Sequence, residues 1–472
     1  MSRAWGRRPG GAFRFVLRSA IIYNFFRHQP ILSQRRNLRV ANLQVELLTE
    51  LGPARRQAIL SGSQEDVSQV LEVVAPILAA LRRDGDAESL RQHRQFKDDL
   101  SATDLEATPQ EIEAAYRCLD PQILTALKTA AANIAKFHQA QRDREMWAME
   151  VQPGILAGRL TRPLDRVGCY IPGGLASYPS SALMNIIPAR VAGVAEIVAA
   201  TPPGPGMAVN PATLVAAHLA GAQRLFKIGG PWAIGSLAYG TAAVPRVDKI
   251  VGPGNKYVTA AKLLVFGQVD IDSPAGPSEA LILADETAEP GWVAMDFLSQ
   301  VEHDPEAAAV LVTPSAQLAQ AVVEIIHQEL PHLPRREIIA AALDKYSAVL
   351  LAPSLEAALE FANLYAAEHL QVVTRDPFAL LPRIRHAGSI FLGPYAPVPV
   401  GDYASGTNHV LPTGGCARMF SGLSVDDFIK KPTFQHFTRE ALGALKDTVI
   451  TLAEHEGLLL HARAVAARFR NF

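Results

Sequence analysis

After a mostly helical first third, hydrophobic and polar positions alternate between short apolar runs and stretches of helical period. The apolar runs predict strands at 196 to 200, 224 to 228 and 248 to 251, and helices at 211 to 221 and 232 to 239 separate them. Strands separated by helices of about ten residues predict βαβ units with right-handed crossovers. We therefore expect a parallel sheet covered by helices, an architecture typical of nucleotide-binding proteins.

A second alternation of the same kind runs from Glu279 to about Gly393. Its apolar runs predict strands at 279 to 284, 308 to 313, 348 to 352, 370 to 374 and 389 to 392. Helices are predicted near 291 to 303, 316 to 329, 355 to 367 and 378 to 385. The predicted fold class is therefore α/β, with two parallel-sheet regions.

The segments outside these two regions are predicted to be helical. Residues 64 to 83 carry valine, isoleucine and leucine at helical spacing, and Pro76 is expected to kink or split that helix. A long helix is predicted from Pro121 to about Met146. The tail from Ser424 to Phe472 is predicted to be helical with one apolar face, and we expect it to pack on another subunit.

Length and composition narrow the class of protein. A chain of 472 residues exceeds what one hydrophobic core usually serves, so two larger domains are expected. The 45 basic and 46 acidic residues nearly balance, which disfavours a nucleic-acid binder. No apolar run approaches the roughly 18 residues of a membrane span, and the three cysteines form no CxxC pair. A soluble protein of the reducing cytoplasm is expected.

The first 40 residues differ from the rest, because they contain nine arginines and no acidic residue. Such a stretch is typical of an organellar transit peptide, with a disordered or misassigned start of the chain as the alternative interpretation. It lacks the apolar core and small-residue cleavage site of a secretory signal. Cytoplasmic localisation therefore remains the expectation, with organellar targeting as the open alternative.

Three glycine-rich turns each follow a predicted strand and precede a helix: Gly173-Gly174, Gly229-Gly230 and Gly252-Pro-Gly254-Asn255. Backbone amides at such turns can face a phosphate, and the helix dipole favours its negative charge. None completes the G-x-G-x-x-G pattern, so each alone fits an ordinary turn. Together they favour a dinucleotide site.

Four short segments place carboxylates or histidines where a plain core would not need them: SQVEHD (299 to 304), AAEHL (366 to 370), GDYASGTNHVLPT (401 to 413) and EHEGLLLHARAV (454 to 465). Gln300 and His303 are three residues apart near a predicted helix end, a spacing that can bind one cation. Glu368 beside His369 at an apolar junction suits proton transfer, since burial raises the pKa of a carboxylate. Polar caps and a solvated loop are the alternative explanations.

These residues together resemble the histidinol dehydrogenase family from about residue 65 to the end. The likeness rests on a set of motifs: RVGCYIPGG, SSALMNIIPARVAGV, AYGTAAVPRVDKIVGPGNKYVTAAK, DSPAGPSEALILAD, LSQVEH, EHL, GDYASGTNHVLPTGG and EGLLLHARAV. Members of the family are described as zinc enzymes that oxidise L-histidinol to L-histidine through the aldehyde, with two NAD in succession. The resemblance implies intertwined homodimers with shared active sites, no nucleic acid and no membrane.

The resemblance also implies a role for individual residues. Zinc would be held by Gln300, His303 and Asp402 of one subunit and by His461 of the other, and would orient the substrate. His369 would be the general base, and Glu368 would activate the water that attacks the aldehyde. The remaining implied contacts are to the substrate (Ser278, Gln300, His303, His369, Asp402, His409, Glu456 and His461) and to NAD (Tyr170, Asn255 and the position of Trp232). Trp232 stands where the family usually has a glutamine.

The fold implied by the resemblance has two Rossmann-like parallel-sheet domains, like aldehyde dehydrogenases, with helical arms at both ends. The implied divisions are an extension (1 to 64), a substrate and zinc domain (65 to 166 with 278 to 423), an NAD domain (167 to 277) and an arm (424 to 472). Three alternatives stay open from the residues: a dehydrogenase of another polar amino alcohol or diol, a zinc hydrolase, and a metal-binding assembly protein. A thiol nucleophile at Cys169 is a further alternative for the aldehyde step.

Overall fold

The structure is a computed structural model, and it describes residues 43–62, 68–94, 100–173, 177–273 and 276–470. The basic leader, Gly174 and the start of the helix predicted at 64 to 83 lie outside the described residues. Within them the helices are α1 (Pro53–Ser61), α2 (Ser68–Asp84), α3 (Asp86–His93), α4 (Pro109–Cys118), α5 (Pro121–Gln139), α6 (Pro179–Ala192), α7 (Pro211–Ala220), α8 (Gly230–Tyr239), α9 (Lys256–Val265), α10 (Pro290–Val301), α11 (Ala316–Glu329), α12 (Arg336–Lys345), α13 (Leu355–Tyr365), α14 (Pro377–Leu380), α15 (Val398–Tyr403), α16 (Arg439–His455) and α17 (Leu459–Ala467).

The strands of the described residues, in chain order, are β1 (Val45–Leu47), β2 (Met146–Gln152), β3 (Ile155–Leu160), β4 (Arg162–Pro163), β5 (Arg166–Tyr170), β6 (Glu196–Ala200), β7 (Arg224–Phe226), β8 (Lys249–Val251), β9 (Asp270–Ile271), β10 (Glu279–Ala284), β11 (Ala308–Thr313), β12 (Ala348–Leu351), β13 (His369–Val373), β14 (Ser389–Leu392), β15 (Ile429–Lys430) and β16 (Thr433–Phe437).

The first predicted alternation forms a parallel sheet with the strand order β7-β6-β5-β8-β9. Its central strands are buried and apolar, as expected for a sheet covered on both faces. The carboxyl ends of β5, β7 and β8 meet at one edge, where the chain turns into α8 and α9. Helix α2 packs on α8 and α9, so residues 68 to 84 lie beside this sheet.

The second alternation forms another parallel sheet, with the order β1-β12-β11-β10-β13-β14. Strand β10 is central, and its neighbour β13 is in register with it so that Ala280 lies opposite His369. Every residue of β10, β11 and β13 is buried. The prediction of two parallel sheets is confirmed, whereas the domain boundaries drawn from the sequence remain predictions.

Several local predictions differ from the structure. Helix α5 ends at Gln139, well before Met146, and α2 continues through Pro76 without a break. Helix α12 and the short edge strand β1 were absent from the sequence prediction. Strand β1 is stabilised by parallel pairing with β12, a contact that its mixed local pattern does not reveal.

The C-terminal segment contains two strands before its long helices, so the prediction of helix throughout 424 to 472 is wrong. Strand β16 pairs antiparallel with β3, which also pairs with β2, and β15 pairs with β4. The two helices that follow, α16 and α17, expose large apolar side chains, and Leu460 is 75% exposed. Strand β2 is exposed along its whole length. Leu458, Leu459 and Leu460 are consecutive and all exposed, and a contiguous exposed apolar patch is typical of an interface with another chain.

None of the described helices is long and apolar enough to cross a membrane.

Candidate active site

Glu368 and His369 lie at the amino-terminal edge of the six-stranded sheet. Helix α13 ends at Tyr365, because Ala366 adopts the left-handed conformation with φ 56°, and β13 begins at His369. The two residues therefore follow the helix after a short turn, whereas the sequence predicts a helix that runs to 367 and ends directly before them. Glu368 is 6% exposed and His369 4% exposed, so the alternative of a surface cap is wrong.

The carboxylate of Glu368 is held by two donors. Its Oε2 accepts hydrogen bonds from the Ser278 hydroxyl at 2.7 Å and from the Glu279 amide at 2.9 Å. Both bonds favour the ionised form, but burial outweighs them, and the nearby charge of Asp402 acts in the same direction as burial. The result is a Glu368 pKa raised to about 8, so this side chain can hold or release a proton near neutrality.

The imidazole of His369 is oriented by a main-chain carbonyl. Its Nδ1 lies 3.2 Å from the Glu279 carbonyl oxygen, which can only accept, so Nδ1 carries the proton. Among the described residues, Nε2 is buried without a hydrogen-bond partner, 3.7 Å from the Asp402 carboxylate. Burial lowers the pKa of His369, which keeps the ring neutral. Nε2 is therefore a free base aimed into the site.

Gln300 and Ser278 continue the polar network. The Gln300 amide nitrogen donates to the Ser278 hydroxyl at 2.9 Å, and Ser278 in turn donates to Glu368. This direction leaves the Gln300 carbonyl oxygen available for a ligand, and Gln300 is 2% exposed. Helix α10 ends at Val301, so His303 lies beyond the helix and does not share a helical face with Gln300.

Asp402 lies on the short helix α15, where the sequence had indicated a loop. Its backbone carbonyl accepts a hydrogen bond from His409 Nδ1 at 2.8 Å, and His409 Nε2 lies 3.3 Å from the Ser181 hydroxyl. Burial lowers the pKa of His409; the charge of Asp402 opposes this, and His369 and His303 add smaller lowering contributions. The segments that carry these residues therefore share one site.

Two residues of this site were not predicted from the sequence. Glu279 supplies both the amide that binds Glu368 and the carbonyl that binds His369, and Ser181 contacts His409. The feature of the sequence that could have identified Glu279 is its place directly after Ser278, at the start of a predicted buried strand. Its own carboxyl accepts from the Gly414 amide at 3.0 Å, and burial followed by the charge of Glu368 raises the Glu279 pKa to about 7.

The donors that this site offers to a cation are the Gln300 carbonyl oxygen, the Asp402 carboxylate and the His303 imidazole. Mixed nitrogen and oxygen donors of this type suit zinc. Among the described residues, no three histidine, cysteine, aspartate or glutamate side chains cluster closely enough to hold a metal ion.

The residues predicted to contact a cofactor lie at the carboxyl edge of the five-stranded sheet. Tyr170 ends β5, and its buried hydroxyl accepts a hydrogen bond from the Gly230 amide at 3.1 Å. Burial raises the pKa of Tyr170 to about 12, so the hydroxyl stays protonated. Asn255 caps α9, with its side-chain oxygen accepting from the Tyr257 and Val258 amides.

Trp232 is 5% exposed and packs in the core beneath this edge. Its indole nitrogen donates to the Glu88 carboxylate at 3.3 Å. A stacking contact with a nicotinamide cofactor needs an open face of the ring, and the buried Trp232 indole does not present one. A contact between Trp232 and NAD stays a prediction.

The comparisons with known proteins agree on one family. A family model for histidinol dehydrogenase matches residues 60–469. The histidinol dehydrogenase of Methanothermobacter thermautotrophicus is 50% identical over 424 residues, which cover 90% of this chain and 99% of that protein. The chain belongs to the histidinol dehydrogenase family.

Other relatives support this assignment over nearly the same length. The histidinol dehydrogenase of Syntrophotalea carbinolica is 49% identical over 415 residues, which cover 88% of this chain and 96% of that protein. The crystal structure of histidinol dehydrogenase from Elizabethkingia anophelis has a TM-score of 0.85 and 37% identity, with 90% of this chain and 98% of that chain covered. Membership of the histidinol dehydrogenase family makes the protein an oxidoreductase, and the α/β fold with parallel sheets matches that structure.

Glu456 and His461 are two predicted substrate-site residues that the structure does not bring into contact with Glu368, His369 or Asp402. Helix α16 ends at His455, Gly457 breaks the chain direction with φ 76°, and His461 lies on α17. Both side chains are exposed. Among the described residues, no hydrogen bond or ion pair joins either of them to Glu368, His369 or Asp402. In this member of the histidinol dehydrogenase family both side chains therefore face solvent.

Cys169 offers no nucleophile to the active site. Its side chain is fully buried in β5, with the sulfur 3.6 Å from the Asn185 carbonyl oxygen. Burial raises the pKa of the Cys169 thiol well above its usual range, which keeps it protonated and unreactive. The structure disfavours the thiol alternative for the aldehyde step.

Proposed function

We propose that the protein oxidises L-histidinol to L-histidine through L-histidinaldehyde in two successive NAD-dependent steps with zinc, as the last reaction of histidine biosynthesis. The observation that carries the proposal is that the buried Glu368 lies beside a neutral His369 whose unprotonated Nε2 faces the site, in a member of this family. A cytoplasmic location is part of the proposal.

His369 has the properties of the base for the first oxidation. Its Nδ1 is committed to the Glu279 carbonyl at 3.2 Å, so the proton taken from the substrate hydroxyl has only Nε2 as its destination. Burial favours the neutral ring, because removing a charged imidazolium from water costs more free energy than removing a neutral imidazole. Asp402, 3.7 Å from Nε2, stabilises the imidazolium once the proton has arrived.

Glu368 has the properties of the base for the second oxidation. A water that attacks the aldehyde must lose a proton, and a carboxylate with a pKa of about 8 accepts one readily. The hydrogen bonds from Ser278 and from the Glu279 amide fix the carboxylate at a single orientation. The aldehyde hydrate that forms carries the C–H bond from which the second hydride of the overall reaction is taken.

Gln300, His303 and Asp402 would hold zinc, with His461 of the partner subunit as the fourth ligand. The Gln300 amide is already turned by Ser278 so that its oxygen is available, which fits this role. When bound, zinc would orient the amine and imidazole of the substrate. Ser278, His409 and Glu456 would add polar contacts that select an imidazole-bearing amino alcohol.

NAD would bind at the carboxyl edge of the five-stranded sheet and supply the hydride acceptor. Tyr170 and Asn255 lie at this edge, where α8 and α9 begin directly after two of the glycine turns. A Cβ added at Gly254 would lie 2.4 Å from the Val258 side chain, so glycine allows this turn to pack closely on α9. Helix amino termini favour the negative charge of a phosphate, which fits a dinucleotide. Residues 167 to 277 form the NAD domain in this proposal, and 65 to 166 with 278 to 423 form the substrate domain.

The arm at 424 to 472 would complete the active site of a second subunit. It exposes the apolar residues Leu459 and Leu460 beside His461, a combination that suits burial against a partner. A homodimer with shared sites would explain why Glu456 and His461 lie apart from the other site residues in one protomer.

The shared site predicts complementation between inactive variants. His461→Asn and His369→Asn are each expected to lower turnover by about a hundredfold or more, because each removes one group from every site. In a mixed dimer, one site receives both replacements and the other receives neither, so activity should return to about a quarter of the wild-type value when subunits mix at random. The measurement is NADH formation after co-expression of differently tagged chains. Persistent inactivity of purified mixed dimers would contradict the shared site.

The test of the whole proposal is the stoichiometry of NADH formation with L-histidinol and zinc. Two NADH per L-histidine are expected, with metal analysis of the same preparation showing zinc. Treatment with a chelator should abolish turnover, and added zinc should restore it. Silence with L-histidinol but activity with another amino alcohol would redirect the substrate assignment, and product formation without NAD would indicate a hydrolase.

A further inference from the structure

Lys262 and Asp272 form a buried ion pair that none of the chemistry above uses. Lys262 is 4% exposed and Asp272 is 7% exposed, and the ammonium directly contacts the carboxylate. Removing two charges from water is unfavourable, and apolar residues of similar volume often replace such a pair without loss of stability. Stability alone therefore gives a weak reason for these charges at this position.

The pair holds both sides of one residue, Gly252. The Gly252 amide donates to Asp272 Oδ2 at 2.6 Å, and the Gly252 carbonyl accepts from Lys262 Nζ at 3.1 Å. Lys262 comes from α9 and Asp272 follows β9, so two separate elements converge on this turn. We call Lys262, Asp272 and Gly252 the loop clamp.

Gly252 needs such support because its conformation and surroundings are unusual. Its φ is 122°, which an L side chain rarely adopts, and a Cβ at this position would lie 2.0 Å from the Tyr170 carbonyl oxygen. Tyr170 in turn binds the Gly230 amide through its hydroxyl. The clamp therefore fixes the turn at 252 to 255 against β5 and, through Tyr170, against the neighbouring glycine turn.

We propose that Lys262 and Asp272 are positioning residues that hold the turn at 252 to 255 in the shape required to bind the dinucleotide. The inference rests on the proposed function only in taking NAD as the dinucleotide. Neither residue contacts the reacting atoms in this proposal, because the clamp is buried below the edge and acts through the Gly252 backbone. Loss of the clamp would loosen the turn and weaken NAD binding, with the substrate site left unchanged.

The principal variant is Lys262→Met/Asp272→Leu, which removes both charges and leaves no buried charge unpaired. The dissociation constant for NAD, measured by calorimetry on the full-length protein, is expected to rise about tenfold or more, since small displacements of a binding element have effects of that size. KM for NAD should rise in parallel, with KM for L-histidinol unchanged. In Lys262→Met/Asp272→Asn the asparagine oxygen still accepts from the Gly252 amide, so part of the NAD affinity should return.

Lys249→Met is the matched control, because Lys249 is another buried lysine, on strand β8 of the adjoining sheet. It pairs with Asp270 at 3.1 Å and with Asp427 at 3.5 Å near the amino-terminal end of β8. Its charge acts on Asp272 through space, but among the described residues no hydrogen bond joins it to the clamp. Its NAD affinity should equal that of the wild type, even if its thermal midpoint falls. The proposed role of the loop clamp is overturned if the double variants keep wild-type NAD affinity, or if Lys249→Met loses as much NAD affinity as they do. Absence of NAD binding by the unaltered protein would instead overturn the proposed function, and the clamp with it.

Discussion

Glu368→Gln is expected to leave the first oxidation largely intact and to slow the second by about a hundredfold to ten-thousandfold, the usual contribution of a general base. Glutamine keeps the shape of the side chain and an oxygen for the Ser278 and Glu279 donors, but it cannot take a proton from water. L-histidinol should therefore yield one NADH per molecule, with the aldehyde accumulating. NADH formation from added L-histidinaldehyde measures the second step directly.

The pH dependence of the second step follows from the same carboxyl. Burial raises the pKa of Glu368 to about 8, so the carboxyl is mostly protonated at pH 7 in the metal-free protein, and the base form increases as pH rises. The rate of aldehyde oxidation should therefore increase with pH through this range, and the increase should be absent in Glu368→Gln. A cation bound nearby favours the carboxylate and moves the increase to lower pH. A rate that falls as pH rises through this range would contradict the assignment.

Asp285→Asn is the matched control for Glu368→Gln. Asp285 is also a buried carboxylate, but it follows β10 at the opposite edge of the same sheet and accepts from the Thr287 and Arg375 amides. Its replacement should leave both oxidation steps near the wild-type rate. Equal loss of both steps in Glu368→Gln would show that Glu368 does not act on water alone.

His369→Asn is expected to lower kcat for the first oxidation by about a hundredfold to ten-thousandfold with little change in KM. Asparagine can still donate to the Glu279 carbonyl, so the replacement removes chiefly the Nε2 base. The remaining activity should increase with pH, because hydroxide can partly replace the missing base. Initial rates of NADH formation at saturating L-histidinol and NAD measure the effect.

His93→Asn provides the comparison for His369→Asn. His93 is likewise buried, and its Nδ1 lies 2.6 Å from the Ser89 carbonyl oxygen. Its replacement removes a buried imidazole with the same main-chain contact from a place outside the active site, so the folded protein should keep its turnover. A wild-type kcat in His369→Asn would rule out His369 as the base.

The parallel sheets could be predicted closely from the sequence. Strands β6, β10, β11 and β14 begin and end at the predicted residues, because buried parallel strands are continuous apolar runs between glycine, proline and polar residues. Strand β16 could not be predicted in this way, since it alternates weakly and its pairing partner β3 is distant in sequence. Its stability comes from the pairing and not from local preference.

The candidate site could be predicted as a list of side chains but not as an arrangement. The resemblance supplied Glu368, His369 and Asp402, and the structure brings these three together. Contacts between β10 and β13 bury Glu368 enough to raise its pKa. Contacts between the same strands hold His369 as a neutral ring with Nε2 free. For Trp232 the motif indicated a cofactor contact, but it did not reveal that the indole nitrogen donates a hydrogen bond to Glu88.

The two contacts that Glu279 makes to Glu368 and His369 both come from its peptide groups. An alanine scan would keep these contacts and would report only the loss of the carboxyl. Substitution of the amide before residue 279 by an ester, through chemical ligation, would delete the donor to Glu368 while sparing every side chain. An amide-to-ester replacement in the backbone is therefore needed to measure how strongly strand β10 holds the two bases.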